Sequence, residues 1–205
     1  MNFESPCGLS GKAPLLLIPL ILLCGCSTLH VPMTPLNFKP EEMLRANSSG
    51  LALAIKPIEG VNEYWDLFND NLPEIGITAA WISLRNTSGD TLDLSCSKWN
   101  LQIGERRFAR IGDSKVLDKY YKSRHIRMYQ MSADLKARRD LETIVLHAGR
   151  LRASGKVEGL VFFQVDPSLA SSWTRGSLLH ISNIRGAGGK RIEVNLSLVY
   201  ASPRG

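Results

Sequence analysis

"ITAAWISLRNTSGDTLDLSCSKWNLQI", residues 77–103, decides the fold. Its first ten residues set Ala80, Ile82 and Leu84 on one face of an extended chain, because successive side chains of a strand point to opposite sides. "TSGD", residues 87–90, has the composition of a turn, and "TLDLSC" is predicted to return as the hairpin partner of the strand before it. The apolar parity then changes, from Leu92, Leu94 and Cys96 to Trp99, Leu101 and Ile103. A slip of one residue carries the second set to the wrong face of a regular strand, so a bulge or bend is predicted near Ser97 and Lys98. Cys96 shares the face of Leu92 and Leu94 and is predicted to be buried.

Working outward, "RRFARI" (106–111) pairs back across Gly104 and Glu105 as a short hairpin arm. Over 113–139 the period alters: Leu117, Tyr121, Met128, Met131 and Leu135 recur as on one face of a helix, which predicts a helical insertion with a break near Ser123. "LETIVLH" fits a helix end or a strand equally. The chain then returns to β. Val157, Val161, Phe163 and Val165 alternate in "KVEGLVFFQVD", "SLLHISNI" is rich in β formers, and "RIEVNLSLVY" gives Ile192, Val194, Leu196, Leu198 and Tyr200 with polar residues between. Upstream, "LALAIKPI" reads as a first strand disrupted at Pro57, and "NEYWDLFNDNLPEIG" (62–76) as a short helix and loop.

Seven to nine short strands without βαβ alternation predict a mainly β, antiparallel sandwich over residues 50–205, with a helical insertion near 113–139. "GITAAWISLRNTSGDTLDL" and "ASGKVEGLVFFQV" resemble immunoglobulin-like domains of uncharacterised bacterial envelope lipoproteins. The resemblance implies an immunoglobulin-like sandwich. The long helix between the two stretches departs from a minimal sandwich, and the cysteine pair of antibody domains has no counterpart.

The beginning of the chain carries a different signal. "APLLLIPLILLCGC" (13–26) holds no charge, yet it is shorter than the roughly 20 apolar residues a membrane-crossing helix needs. Lys12 precedes it and small polar residues follow, the order of a secretory signal. A metal site at Cys24 and Cys26 lacks neighbouring ligands to reach the usual four. Leu23-Cys24-Gly25-Cys26 resembles the lipobox of bacterial lipoproteins, with an ordinary cleaved signal as the alternative. The resemblance implies a signal peptide at 1–25, lipidation of Cys26, and a membrane partner reached through that anchor. Ser27 in place of aspartate implies sorting to the outer membrane of a Gram-negative host, lipid-anchored and facing the periplasm. Residues 26–49, with Pro32, Pro35 and Pro40 and few periodic apolar positions, are predicted to be a lipid-anchored tether.

Glu4 and Lys12 cancel, so the chain from Cys26 onward keeps the net charge of +6. Its length suits one domain, able to bury about 70 per cent of its unfolded surface. Of four cysteines, Cys7 and Cys24 fall in the leader and Cys26 is the lipidation site, which leaves Cys96 without an internal disulfide partner. The export signal argues against nucleic acid as a partner.

No stretch demands a cofactor or a metal. "GAGGKR" (186–191) lacks the spacing and the Ser or Thr of a phosphate loop and is predicted to be a hairpin loop. Asp66, Asp70 and Glu74 lie four apart, but Pro73 interrupts a helix through them, and solvated carboxylates are the simpler expectation. His30, His125, His147 and His180 show no metal or triad spacing. The strongest binding candidate is "DKYYKSRHIRMYQM" (118–131), where Lys119, Lys122, Arg124 and Arg127 interleave with Tyr120 and Tyr121. That mixture suits an envelope protein, an anionic lipid or a glycan. The plain alternative is a helix whose aromatics pack inward while its charges face water. The expectation is a non-catalytic binding or scaffolding module at the envelope; an enzyme whose site assembles only in the fold, or a spacer, are the alternatives.

Overall fold

The computed structural model describes residues 29–32, 36, 38–126 and 131–198, so the predicted signal peptide, Cys26 and Arg127 lie outside the described residues. Among the described residues ten strands form one antiparallel sheet: β1 (Leu44–Ser48), β2 (Leu51–Pro57), β3 (Ile77–Asn86), β4 (Leu92–Asp93), β5 (Lys98–Ile103), β6 (Arg106–Ile111), β7 (Arg150–Leu151), β8 (Lys156–Gln164), β9 (Ser177–Arg185) and β10 (Arg191–Ser197). Accompanying them among the described residues are the helices α1 (Gly60–Phe68), α2 (Asp113–Ser123), α3 (Met131–Ile144) and the single-turn α4 (Pro167–Ala170). The fold is thus mainly antiparallel β.

Strand order explains the layering. β1-β2-β3-β8 continues through β6 into β5-β9-β10, and residues from both halves meet in one apolar cluster. Leu53 and Ile55 of β2, Ile82 of β3 and Phe163 of β8 pack there with Leu101 of β5 and Val194 of β10. β10 comes to lie beside β1, and the Ser48 hydroxyl donates to the Glu193 carbonyl at 2.9 Å. The alternation in β3 and β8 separates this core from a second one. Ala80, Ile82 and Val161 point one way; Ala79, Trp81, Leu160 and Phe162 point the other, under α1, α2 and α3. That is why Ile77 to Leu84 are all buried: helices cover the outer face of this half of the sheet. The outer face of β10 stays in water, with Arg191, Glu193, Asn195 and Ser197 exposed.

Gly159 is where the helical layer touches the sheet most closely. A Cβ on it would stand 2.5 Å from the Leu146 amide nitrogen, which itself donates to the Leu160 carbonyl at 2.8 Å. "LETIVLH" therefore ends α3 and then runs onto β8.

Several sequence expectations need correction. "TLDLSC" is not the hairpin partner of β3, which pairs with β2 and β8; Leu92 and Asp93 pair with β7, and Asp93 also pairs with Arg185. The Asn86 amide redirects the chain at this point. Its Nδ2 donates to the carbonyls of Asp90, Leu151 and Arg152 at 2.7, 3.0 and 3.1 Å, and its Oδ1 accepts from the Ser88 amide at 2.9 Å. Cys96 is exposed, not buried, because the parity change is made by a turn at Ser95 and Cys96 that lifts the thiol out of the Leu92 and Leu94 face. The segment predicted as a tether is packed over much of its described length. Leu29 and Val31 are 2% and 5% exposed, Phe38 meets Trp81 at 6.2 Å between ring centroids, and Leu44 to Ser48 form β1.

Candidate functional site

A cleft of about 410 Å³ opens between the start of α1, the loop after it and the region of α4. This lies at the lower end of the usual range for small-molecule sites. Its first wall begins where Pro57 ends β2. The Glu63 carboxylate accepts from the Glu59 amide and from Lys56 Nζ, the latter at 2.7 Å, which fixes the turn into α1. Helix α1 then buries Tyr64 and Phe68 and ends at Asn69 in the left-handed conformation.

The second wall depends on Gly76, whose φ of 70° suits glycine. Any Cβ here would sit 2.4 Å from the Val165 carbonyl oxygen. With that space free, the Val165 amide donates to the Gly76 carbonyl at 3.0 Å, and the 72–75 loop is held against the end of β8. Pro167 starts α4 directly afterwards, its φ preset for a first helical turn. Trp173, 2% exposed, donates from Nε1 to the Ile58 carbonyl at 3.3 Å and so ties α4 back to α1.

Polar groups in these walls are unevenly satisfied. Tyr64 Oη accepts from the Ala79 amide at 2.8 Å, and burial pushes the phenol well above its ordinary pKa, so it stays neutral. Glu59 Oε1 and Asn71 Oδ1 are buried and accept no hydrogen bond. Buried acceptors of this kind usually have a donor, whether protein, water or ligand. Glu74 and Arg175 complete the charged rim. The arrangement offers acceptors over an apolar floor, and its lining holds neither histidine nor cysteine.

The residues singled out in "DKYYKSRHIRMYQM" are distributed differently from the surface they suggested. Tyr120 and Tyr121 are 4% and 7% exposed, with their rings 5.8 Å apart edge-on, so both belong to the helical-side core. Burial raises both phenols, Tyr121 to about 12. Arg124 is held by carboxylates: Nε donates to Asp70 at 3.2 Å, and Nη2 bonds the same carboxylate and reaches Glu74 at 3.0 Å. This clasp joins the end of α2 to the 70–74 loop at the rim of the cleft. Asp70 and Glu74 are thus ion-paired, while Asp66 is exposed. Lys122 remains exposed and Lys119 half-buried.

His180 Nδ1 bonds Asn195 Oδ1 in a shallow pocket with Asn100, Gln102 and Arg107, and His147 Nε2 meets the Glu142 carbonyl at 2.7 Å. Neither is joined to a carboxylate side chain. Among the described residues no group of three His, Cys, Asp or Glu is placed to hold a metal ion. The glycine-rich 186–191 stretch links β9 to β10 as a hairpin.

No family model matches the chain, and no curated protein matches it. Among solved structures, the chain is similar to a functionally unknown protein from Listeria monocytogenes EGD-e, with 14% identity, 84% of this chain and 90% of that chain covered, and a TM-score of 0.40.

Proposed function

We propose that the chain is an exported bacterial lipoprotein, acylated at Cys26 and carried to the outer membrane, that works there as a non-catalytic binding module. The cleft between α1 and α4 is its ligand site. One observation carries the binding assignment: Glu59 Oε1 and Asn71 Oδ1 stand unpartnered in the walls of a cleft large enough for a small molecule. Leaving a buried acceptor unpaired costs about 1 to 3 kcal/mol, so a side-chain rotation that turns either oxygen from its closed position toward a ligand's donor recovers that cost. Hydroxyl and amine groups are such donors, which points to a glycan fragment or an aminated small molecule of the envelope. An immunoglobulin-like kinship belongs to the same proposal; antiparallel strands on both sides of one apolar core support it. Lipobox residues Leu23 to Cys26 support the location.

Two experiments test the proposal. Cys26→Ser is expected to accumulate as a precursor without acyl label, and normal labelling of that variant defeats the anchor. For the cleft, a panel of amino sugars and diamines is screened by thermal shift. A hit whose affinity drops about tenfold in Glu59→Gln, near 1.4 kcal/mol, supports the site. A hit that binds Glu59→Gln and Asn71→Leu as tightly as the parent places the ligand elsewhere.

A further inference from the structure

We infer that the helical side of the domain rests directly on the lipid headgroups, with Val61 and Trp65 of α1 as its contact residues. The inference builds on acylation at Cys26. Only Ser27 and Thr28 stand between Cys26 and Leu29. Leu29 and Val31, 2% and 5% exposed, are built into the apolar cluster that α1, α2 and α3 share. Three residues of fully extended chain reach about 11 Å at most. The headgroup layer on each side of a bilayer is itself about 5 to 8 Å deep. A domain of this length is roughly 40 Å across, so the gap left to it is small beside its own size. The side that holds Leu29 therefore meets the membrane.

The character of the two outer faces agrees with that orientation. On the helical side, α1 turns Tyr64 and Phe68 inward and leaves Val61 and Trp65, one turn apart, 50% and 48% exposed. Tryptophan suits the headgroup region, where its ring is half in apolar surroundings and its N–H stays wet. Exposed Lys115, Lys122 and Arg139 on α2 and α3 add attraction to anionic lipids. The opposite face of the sheet presents Glu193, Asn195, Ser197 and the His180 pocket, groups that favour water. Val61 also lines the cleft, so its mouth opens close to the headgroups.

The experiment uses the full acylated protein in vesicles of phosphatidylethanolamine and phosphatidylglycerol that contain a brominated lipid. Tryptophan emission is compared with that of a variant carrying about 20 Gly/Ser residues inserted after Thr28, a spacer of roughly 25 Å root-mean-square reach. Intact-mass measurement on both samples first establishes acylation. The expected result is quenching at least about twofold stronger at native spacing, and lost in Trp65→Phe, because bromine quenches only at contact range and Trp81, Trp99 and Trp173 are buried. Acylated protein that is quenched no more than the spacer variant overturns the seating while leaving the anchor intact. Quenching retained in Trp65→Phe overturns the choice of face, and a dimer that shields Trp65 from lipid assigns the face to a second copy instead. Absence of acyl mass removes the anchor and the seating with it.

Discussion

Asn86 and Leu151 lie 65 residues apart in sequence, and the Asn86 Nδ2 donates to the Leu151 carbonyl at 3.0 Å inside the protein. Asn86 is 0% exposed, and the same amide also holds the Asp90 and Arg152 carbonyls. Asn86→Ala takes the amide donor from the buried Leu151 carbonyl and one of two partners from the Asp90 and Arg152 carbonyls and the Ser88 amide, which keep the Ser88 hydroxyl, the Gly155 amide and the Gly50 carbonyl. A loss of about 2 to 4 kcal/mol is expected in urea unfolding, since each buried unpaired group costs on the order of 1 kcal/mol or more. A loss under about 0.5 kcal/mol would show that water replaces the side chain at this corner.

Gly159→Ala should be destabilising for a different reason. The added methyl meets the backbone of Val145 and Leu146, which cannot move without dragging the end of α3 off β8. About 2 to 4 kcal/mol is expected. Gly89→Ala, with nothing within 4 Å of its Cβ position, serves as the control and should stay within about 0.5 kcal/mol of the parent. Equal melting temperatures for the two variants would contradict the close packing.

Thr78 is 0% exposed and its Oγ1 has no hydrogen-bond partner. Thr78→Val keeps the shape and removes the stranded hydroxyl, so a gain of about 1 kcal/mol is expected. A lower melting temperature would mean that a water serves that oxygen.

Burial holds the Tyr64 phenol above the ordinary value of 10.0, and holds Tyr121 up at about 12. The fold favours the neutral form, so the unfolded chain ionises first. The contribution of these tyrosines to stability is therefore constant below about pH 10 and falls as pH rises toward the folded values. Urea midpoints measured between about pH 8 and 11.5 should show this decline, and it should be shallower in Tyr64→Phe. An unchanged slope in that variant would remove Tyr64 from the alkaline limit.

Cys96 lies in the turn between β4 and β5, exposed, with its Sγ 3.9 Å from the Ser95 hydroxyl. Maleimide is expected to modify it in the folded protein at a rate within about threefold of that in urea. Modification only after unfolding would return the thiol to the interior.

Much of the sheet was legible because period-two alternation is a local property. Ile82, Leu101, Val161 and Val194 enter the core on the faces their spacing predicts. What the sequence hid is decided by pairings between distant segments. Leu92 looks like the return arm of a hairpin, yet its partner is Leu151, and only the Asn86 hydrogen bonds show why the chain turns away. β1 was concealed because Leu44 and Ala46 are only partly buried at an edge, so no strong alternation marks them. The cleft draws on residues near 59–74 and 167–175, which share no spacing at all. The local cues were punctuation: Pro57 before α1, Gly60 as its first residue, and Gly76 and Pro167 where the two walls join. Tyr120 and Tyr121 were left open between two readings because a basic, aromatic helix has the same composition whether its rings face a partner or its own core, and they take the inward one.

The hydrogen bond from Ser48 to Glu193 bears on crowding. An unsatisfied strand border can recruit strands from other molecules, and confinement to a surface multiplies such encounters. Here the outermost strands β1 and β10 turn their flanks toward each other, and the terminal piece β7 is two residues long, too little to template an addition. Crowded copies of the molecule therefore meet little open strand border among the described residues.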